Sequence, residues 1–173
     1  TLAYCDGKKT YLWGGDEMRC ARYIDRSFDE TVTYDYSSRI TNDLNDEWEL
    51  APLHASGASN YHYGYIGSIL PLCGVTFYME TLNSSGTATP AVFKYWDGTA
   101  FSPVTGLVDG TASGGIPLNK TSGMMSFDDT AKYANPAKPT FINGIYLYWY
   151  QFIVDVEFNT PSATISSTPS GTV

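Results

Sequence analysis

Residues 141–158 read FINGIYLYWYQFIVDVEF, and this stretch decides the fold class. Asn143-Gly144 signals a tight turn. From there to Pro161 there is no Pro or Gly, and most residues have high strand preference. Side chains alternate between two faces along a strand. One face would carry Ile145, Leu147, Trp149, Gln151 and Ile153, the other Tyr146, Tyr148, Tyr150, Phe152, Val154 and Val156. Neither face is cleanly polar, so the strand is expected to be covered on both sides. One cover would be the domain core, the other a second sheet edge, a loop or a neighbouring subunit. Tyr146, Tyr148 and Tyr150 mark the face that needs this second cover, and are the candidate assembly face.

Working outward, short strands separated by Gly-containing turns predict an antiparallel β-sandwich with long loops. Strand candidates are 2–5, 10–13, 18–24, 31–36, 73–82, 91–96, 100–104 and 123–127. Asp97-Gly98 is a strong hairpin signal, and Pro103 suggests that the returning strand lies at an edge. Residues 43–50 are expected to form a short helical turn, 51–64 a loop and 65–70 an edge strand. A Gly-rich loop is expected over 105–120, and a polar crossover over 128–139. The core is expected to include Val92, Trp96, Ile145 and Trp149. Residues 1–158 thus form one all-β domain, and 159–173 (NTPSATISSTPSGTV) a Ser/Thr/Pro-rich tail or linker.

At 173 residues the chain suits one domain with a real core. It is 15% aromatic with 14 Tyr, only 16% charged, and carries a net charge of −8. Lys and Arg are too few and scattered to track phosphates, so nucleic acid and anionic membranes are unexpected partners. No apolar run approaches the roughly 20 residues of a spanning helix, and no signal peptide is recognised. A chain that begins at Thr1 fits a processed product, an excised domain or the ordered part of something longer. Cys5, Cys20 and Cys73 are sparse and odd in number, which favours free thiols over a disulfide framework, with Cys5–Cys20 the one pairing worth testing.

Catalytic signatures are missing. Acidic residues between Asp25 and Glu49 follow no cation-loop spacing and suit a solvated face. In Asp128-Asp129-Thr130, capping of a short turn outweighs cation binding. His54, His62 and Cys73 match no zinc spacing. There is no G-x-S-x-G elbow, phosphate loop or dinucleotide fingerprint, and spacing singles out no carboxylate pair. Neither an enzymatic role nor a cofactor is expected. Tyr61, Tyr63 and Tyr65, alternating in a loop-like YHYGY run, are the best candidate platform for stacking on sugar rings. Asn83-Ser84-Ser85 and Asn119-Lys120-Thr121 match glycosylation sequons and are taken as accidental.

One succession of motifs resembles a known module. Tyr95-Trp96-Asp97-Gly98-Thr99-Ala100-Phe101 is followed by Asp109-Gly110-Thr111, then Ser122-Gly123 with Ser126-Phe127-Asp128, and finally Asn143-Gly144-Ile145-Tyr146-Leu147-Tyr148-Trp149-Tyr150. This order, over the C-terminal half, resembles a β-sandwich module of virion structural proteins of tailed bacteriophages, including baseplate and tail-associated proteins. The resemblance implies a jelly-roll-like sandwich and a non-enzymatic role in a virion, as a capsid-decorating, tail or baseplate component. Its partners would be other virion proteins or copies of itself. The alternative is a carbohydrate- or receptor-binding module that contacts a host surface glycan through Tyr61, Tyr63 and Tyr65. Phage surface modules can serve both ends.

Overall fold

The quoted stretch folds as a hairpin with a long second arm. The computed structural model describes residues 2–5, 10–13, 22–27, 33–37, 48–49, 62–84, 91–154 and 164–165. Its strands are β1 (Leu2–Cys5), β2 (Thr10–Trp13), β3 (Arg22–Ser27), β4 (Thr33–Asp35), β5 (Trp48–Glu49), β6 (His62–Ser68) and β7 (Gly74–Thr81). They continue as β8 (Ala91–Trp96), β9 (Phe101–Pro103), β10 (Val108–Asp109), β11 (Ser122–Ser126), β12 (Pro139–Ile142), β13 (Ile145–Val154) and β14 (Thr164–Ile165). Between β12 and β13, Asn143 and Gly144 take positive φ values of 51° and 76°. A two-residue primed turn needs this conformation, which Asn and Gly tolerate better than other residues.

β13 is the hub of a seven-stranded sheet. One edge pairs with β6, the other with β12 and then β8, all antiparallel. β6 continues to β3 and β4, and β8 to β9. A five-stranded sheet runs in the order β10, β11, β7, β14, β5, while β1 and β2 form a separate pair. The main core lies between the two larger sheets: Phe77 and Met125 of the smaller sheet meet Ile66, Phe93, Tyr150 and Phe152 of the larger. Phe152 sits 5.2 Å from Phe77 and 5.0 Å from Phe93, ring centre to ring centre. Offset, tilted rings at such distances add attraction beyond their buried area. The protein is therefore an all-β antiparallel sandwich.

The odd-numbered face of β13 is buried too. Ile24, Tyr65, Ile142, Leu147 and Trp149 form a second cluster on the other side of the large sheet. β13 is thus covered on both faces over most of its described length, from Leu147 onward. Trp149 is fully buried, whereas Val92, Trp96 and Ile145 are half-buried.

Three expectations need correction. His62 and Tyr63 belong to a strand rather than a loop, and that strand, β6, is central between β3 and β13 rather than at an edge. Gly64 and Gly67 weaken its strand signal locally, and its pairing comes from distant partners. Trp48–Glu49 is a strand paired with β14, not part of a helical turn. Within the tail, Thr164–Ile165 is tied to this chain's own sheet, between β7 and β5.

The smaller sheet contains a close backbone approach. A Cβ on Gly123 would lie 2.5 Å from the carbonyl oxygen of Gly110 and 2.7 Å from the Cα of Thr111. Both obstacles are main chain, so neither can swing aside. Gly123→Ala is expected to destabilise the fold by about 1–3 kcal/mol through overpacking, read as a lower urea midpoint. An unchanged midpoint would mean that β10 and the loop after it separate freely from β11.

Candidate functional site

The tyrosine face of β13 is open at one end and closed at the other. Tyr146 is 57% exposed, Tyr148 is half-buried against the core, and Tyr150 is fully buried. The smaller sheet and its loops supply the cover, so Tyr150 is a core residue rather than part of an assembly face. Leu72 donates its N–H to Tyr150 Oη at 2.7 Å, and Thr130 Oγ1 donates to the Leu72 carbonyl at 2.8 Å. With the Thr130 proton used there, the 2.6 Å contact between Thr130 Oγ1 and Tyr150 Oη is a bond donated by the tyrosine. The three groups close a buried ring of hydrogen bonds that fastens two loops to the large sheet.

At the open end Tyr146 has a companion. Phe141, its cross-strand partner on β12, is 68% exposed, and the two ring centres are 4.8 Å apart. Ser68 lies opposite Tyr148, so the exposed Ile69 and Leu70 leave β6 at this same end. No Asp, Glu, Lys or Arg occurs from residue 139 to 154. The result is a neutral aromatic end to the sheet, the kind of composition enriched where proteins meet. Phe141 carries no role in the sequence reading above. A two-residue Asn-Gly loop nevertheless places it opposite Tyr146, and that register was there to be read.

The tyrosine run fares differently. Tyr65 is buried, accepts a 3.1 Å hydrogen bond from Gln151 Nε2 at its hydroxyl, and packs 5.6 Å from Phe101. Tyr63 is half-buried and meets Tyr65 edge-on, with the rings inclined at 64°. Tyr61 lies outside the described residues. Tyr65 therefore presents no face to a sugar, and Tyr63 and Tyr65 are not coplanar.

The described loop carboxylates from Asp97 to Asp129 are engaged in holding turns and loops in place. In Asp97-Gly98-Thr99, Asp97 Oδ1 accepts from the backbone N–H groups of Thr99 and Ala100 and from Thr99 Oγ1, while Oδ2 accepts from Ser102 Oγ. Asp109-Gly110-Thr111 repeats the pattern, with Asp109 Oδ1 accepting from the N–H and hydroxyl of Thr111. Asp128 accepts from Thr105 Oγ1, and Asp129 from the N–H of Ala131 and from Lys132. Asp129 thus holds a turn, as anticipated.

The bonds to Asp97 and Asp129 favour their ionised forms. The Ala100 N–H, then Ser102 and Thr99, hold the Asp97 carboxyl well below its ordinary value of 3.8. A group whose folded pKa is depressed contributes stability above its unfolded pKa and loses it as pH falls through the folded value. Asp97→Asn is therefore expected to lower the melting temperature at neutral pH, with the gap to wild type narrowing below about pH 3.8. A gap that stays constant into strong acid would contradict this account.

Among the described residues no group of three or more His, Cys, Asp and Glu is placed to hold a metal. Cys73 is half-buried. Cys20 and His54, and the side chains of Cys5 and His62, lie outside the described part, so the Cys5–Cys20 and zinc readings do too. Asn83 of the first sequon is buried, with Nδ2 donating to the Pro117 carbonyl, which withdraws it from modification in the folded chain. No helix among the described residues is long and apolar enough to cross a membrane. No protein-family model matches this chain, and neither a curated protein nor a solved structure matches it.

Proposed function

We propose that the chain is a non-enzymatic structural component of a tailed-bacteriophage particle, a capsid-decorating, tail or baseplate sandwich of jelly-roll-like order that works by surface contact. The observation that carries this reading is how the loop carboxylates are used. Among the described residues, Asp97, Asp109 and Asp129 accept hydrogen bonds from within their own turns, and Asp128 accepts from Thr105, tying two loops together. Catalytic carboxylates are instead aimed at a substrate, with neighbours that tune their pKa toward the working pH. The four motifs behind the resemblance also do structural work here: two Asp-Gly-Thr turns, a glycine that lets backbones meet, and the β12–β13 hairpin. The aromatic end of the sheet offers contact area to other virion proteins or to copies of the chain. With Tyr65 in the core, no observation favours the glycan-binding alternative.

The test is quantitative mass spectrometry of particles purified by density gradient from a lysate in which this chain is expressed. The expected result is a fixed ratio of this chain to the major shell protein across the particle band. A chain found wholly in the soluble fraction overturns the proposal.

A further inference from the structure

We propose that β12 is a self-pairing edge, through which two copies of the chain join their large sheets across a two-fold axis centred on Phe141. Among the described residues, β12 pairs with β13 alone. In a hairpin with a two-residue loop, the residues flanking the loop exchange hydrogen bonds and the next pair does not. Ile142 and Ile145 are therefore the bonded pair, and Phe141 opposite Tyr146 is the unbonded one. It follows that the N–H and C=O of Phe141 point away from β13, along the free edge. Pro139, the other residue with this orientation, has no N–H, so Phe141 is the only outward donor of β12.

Those two groups sit on one residue, which is what an isologous contact requires. A two-fold axis through a strand pair places a residue opposite its own copy, and the two exchange both bonds. Phe141 would meet the second copy's Phe141 in this way. Each Phe141 already lies 4.8 Å from Tyr146, so pairing builds a continuous row of four rings across the joined sheets.

Charge selects the second copy over a charged partner. The chain carries a net charge of −8, yet residues 139–154 include no charged side chain. Two like-charged molecules can approach here with little repulsion, whereas a basic partner would find no carboxylate. The nearest lysine, Lys138, lies across Gly98, and its N–H is bonded to the Trp96 carbonyl. Free edges are usually guarded by charges. β12 has no charge; it is short and carries Pro139, which limits pairing to the Phe141 end, where its most exposed side chain is a phenylalanine. The dimer does not depend on the particle reading: a soluble protein of any role would form it, and a virion protein could lack it.

The experiment is sedimentation velocity of the whole chain over a wide concentration range, beside Phe141→Lys. The substitution puts a charge on the edge, at a site exposed enough to spare the fold, and matching melting temperatures check this. Wild type is expected to pass from a 19.0 kDa monomer to twice that mass. The variant is expected to need at least about tenfold higher concentration to do so, a change of some 1.4 kcal/mol in association. As a second readout, hydrogen exchange at the wild-type Phe141 amide should slow as the dimer forms. A monomer at every concentration overturns the proposal. So does a dimer that Phe141→Lys leaves unchanged, or open-ended growth, which a closed two-fold pair does not allow.

Discussion

Trp149→Ala is expected to cost about 3–5 kcal/mol of folding stability, the range for removing a large aromatic side chain from a packed core. Trp149 is fully buried in the second cluster of the large sheet. Its six-membered ring lies over Gly67 so closely that a Cβ there would come within 2.7 Å of Cζ3. Nε1 donates to the carbonyls of Thr140 at 3.1 Å and Ile145 at 3.2 Å, so one side chain clamps both arms of the hairpin from its own strand. Alanine would leave a cavity and lose both bonds. With typical domain stabilities of about 5–15 kcal/mol, this is a large share of the total. The measurement is the midpoint of urea unfolding at constant slope. A loss below about 1 kcal/mol would show that the second cluster collapses around the vacancy instead of supporting it.

Tyr150→Phe removes a single oxygen yet is expected to cost about 1–3 kcal/mol, the penalty for leaving a buried polar group unsatisfied. That oxygen accepts from Leu72 N–H and donates to Thr130, in a ring closed by the Thr130 bond to the Leu72 carbonyl. Phenylalanine keeps the packing, including the ring contact with Phe127 at 5.9 Å, and strands the Leu72 N–H. Thr130→Val should break the same ring, so the double variant should lose less than the sum of the two single losses. Strict additivity, measured by the same unfolding midpoints, would mean that the three groups act independently.

Much of this architecture is written locally. Asn143-Gly144 specifies the hairpin because few other residue pairs take positive φ twice in succession, and its two-residue length sets Phe141 against Tyr146. Asp97-Gly98 also marks the turn between β8 and β9, by another route: only Gly98 takes positive φ, and the Asp97 carboxylate accepts from the N–H groups of Thr99 and Ala100. Pro103 is found at the edge it signals. The apolar character of both faces of β13 announced cover on each side, which holds from Leu147 onward and fails at Tyr146. The alternation of Val75, Phe77 and Met79 likewise marked the inner face of β7. In each case the information lies within a few residues, where backbone sterics and strand period operate.

The identity of the residues left for contact was settled only by the assembled sandwich. Tyr65 reads as a sugar-stacking ring at the start of an edge strand, yet it is buried because β6 lies between β3 and β13, and its hydroxyl is bonded by Gln151, 86 positions away. Tyr146, Tyr148 and Tyr150 are alike in sequence, spaced two apart on one strand face. One is exposed, one half-buried and one in the core, because the smaller sheet covers only part of that face. Trp48–Glu49 becomes a strand only because Thr164–Ile165 arrives beside it. Strand propensity and alternation set which side chains share a face. Where a face ends, and so what it offers to a partner, depends on the extent of a second sheet built from distant parts of the chain, and no local pattern encodes that.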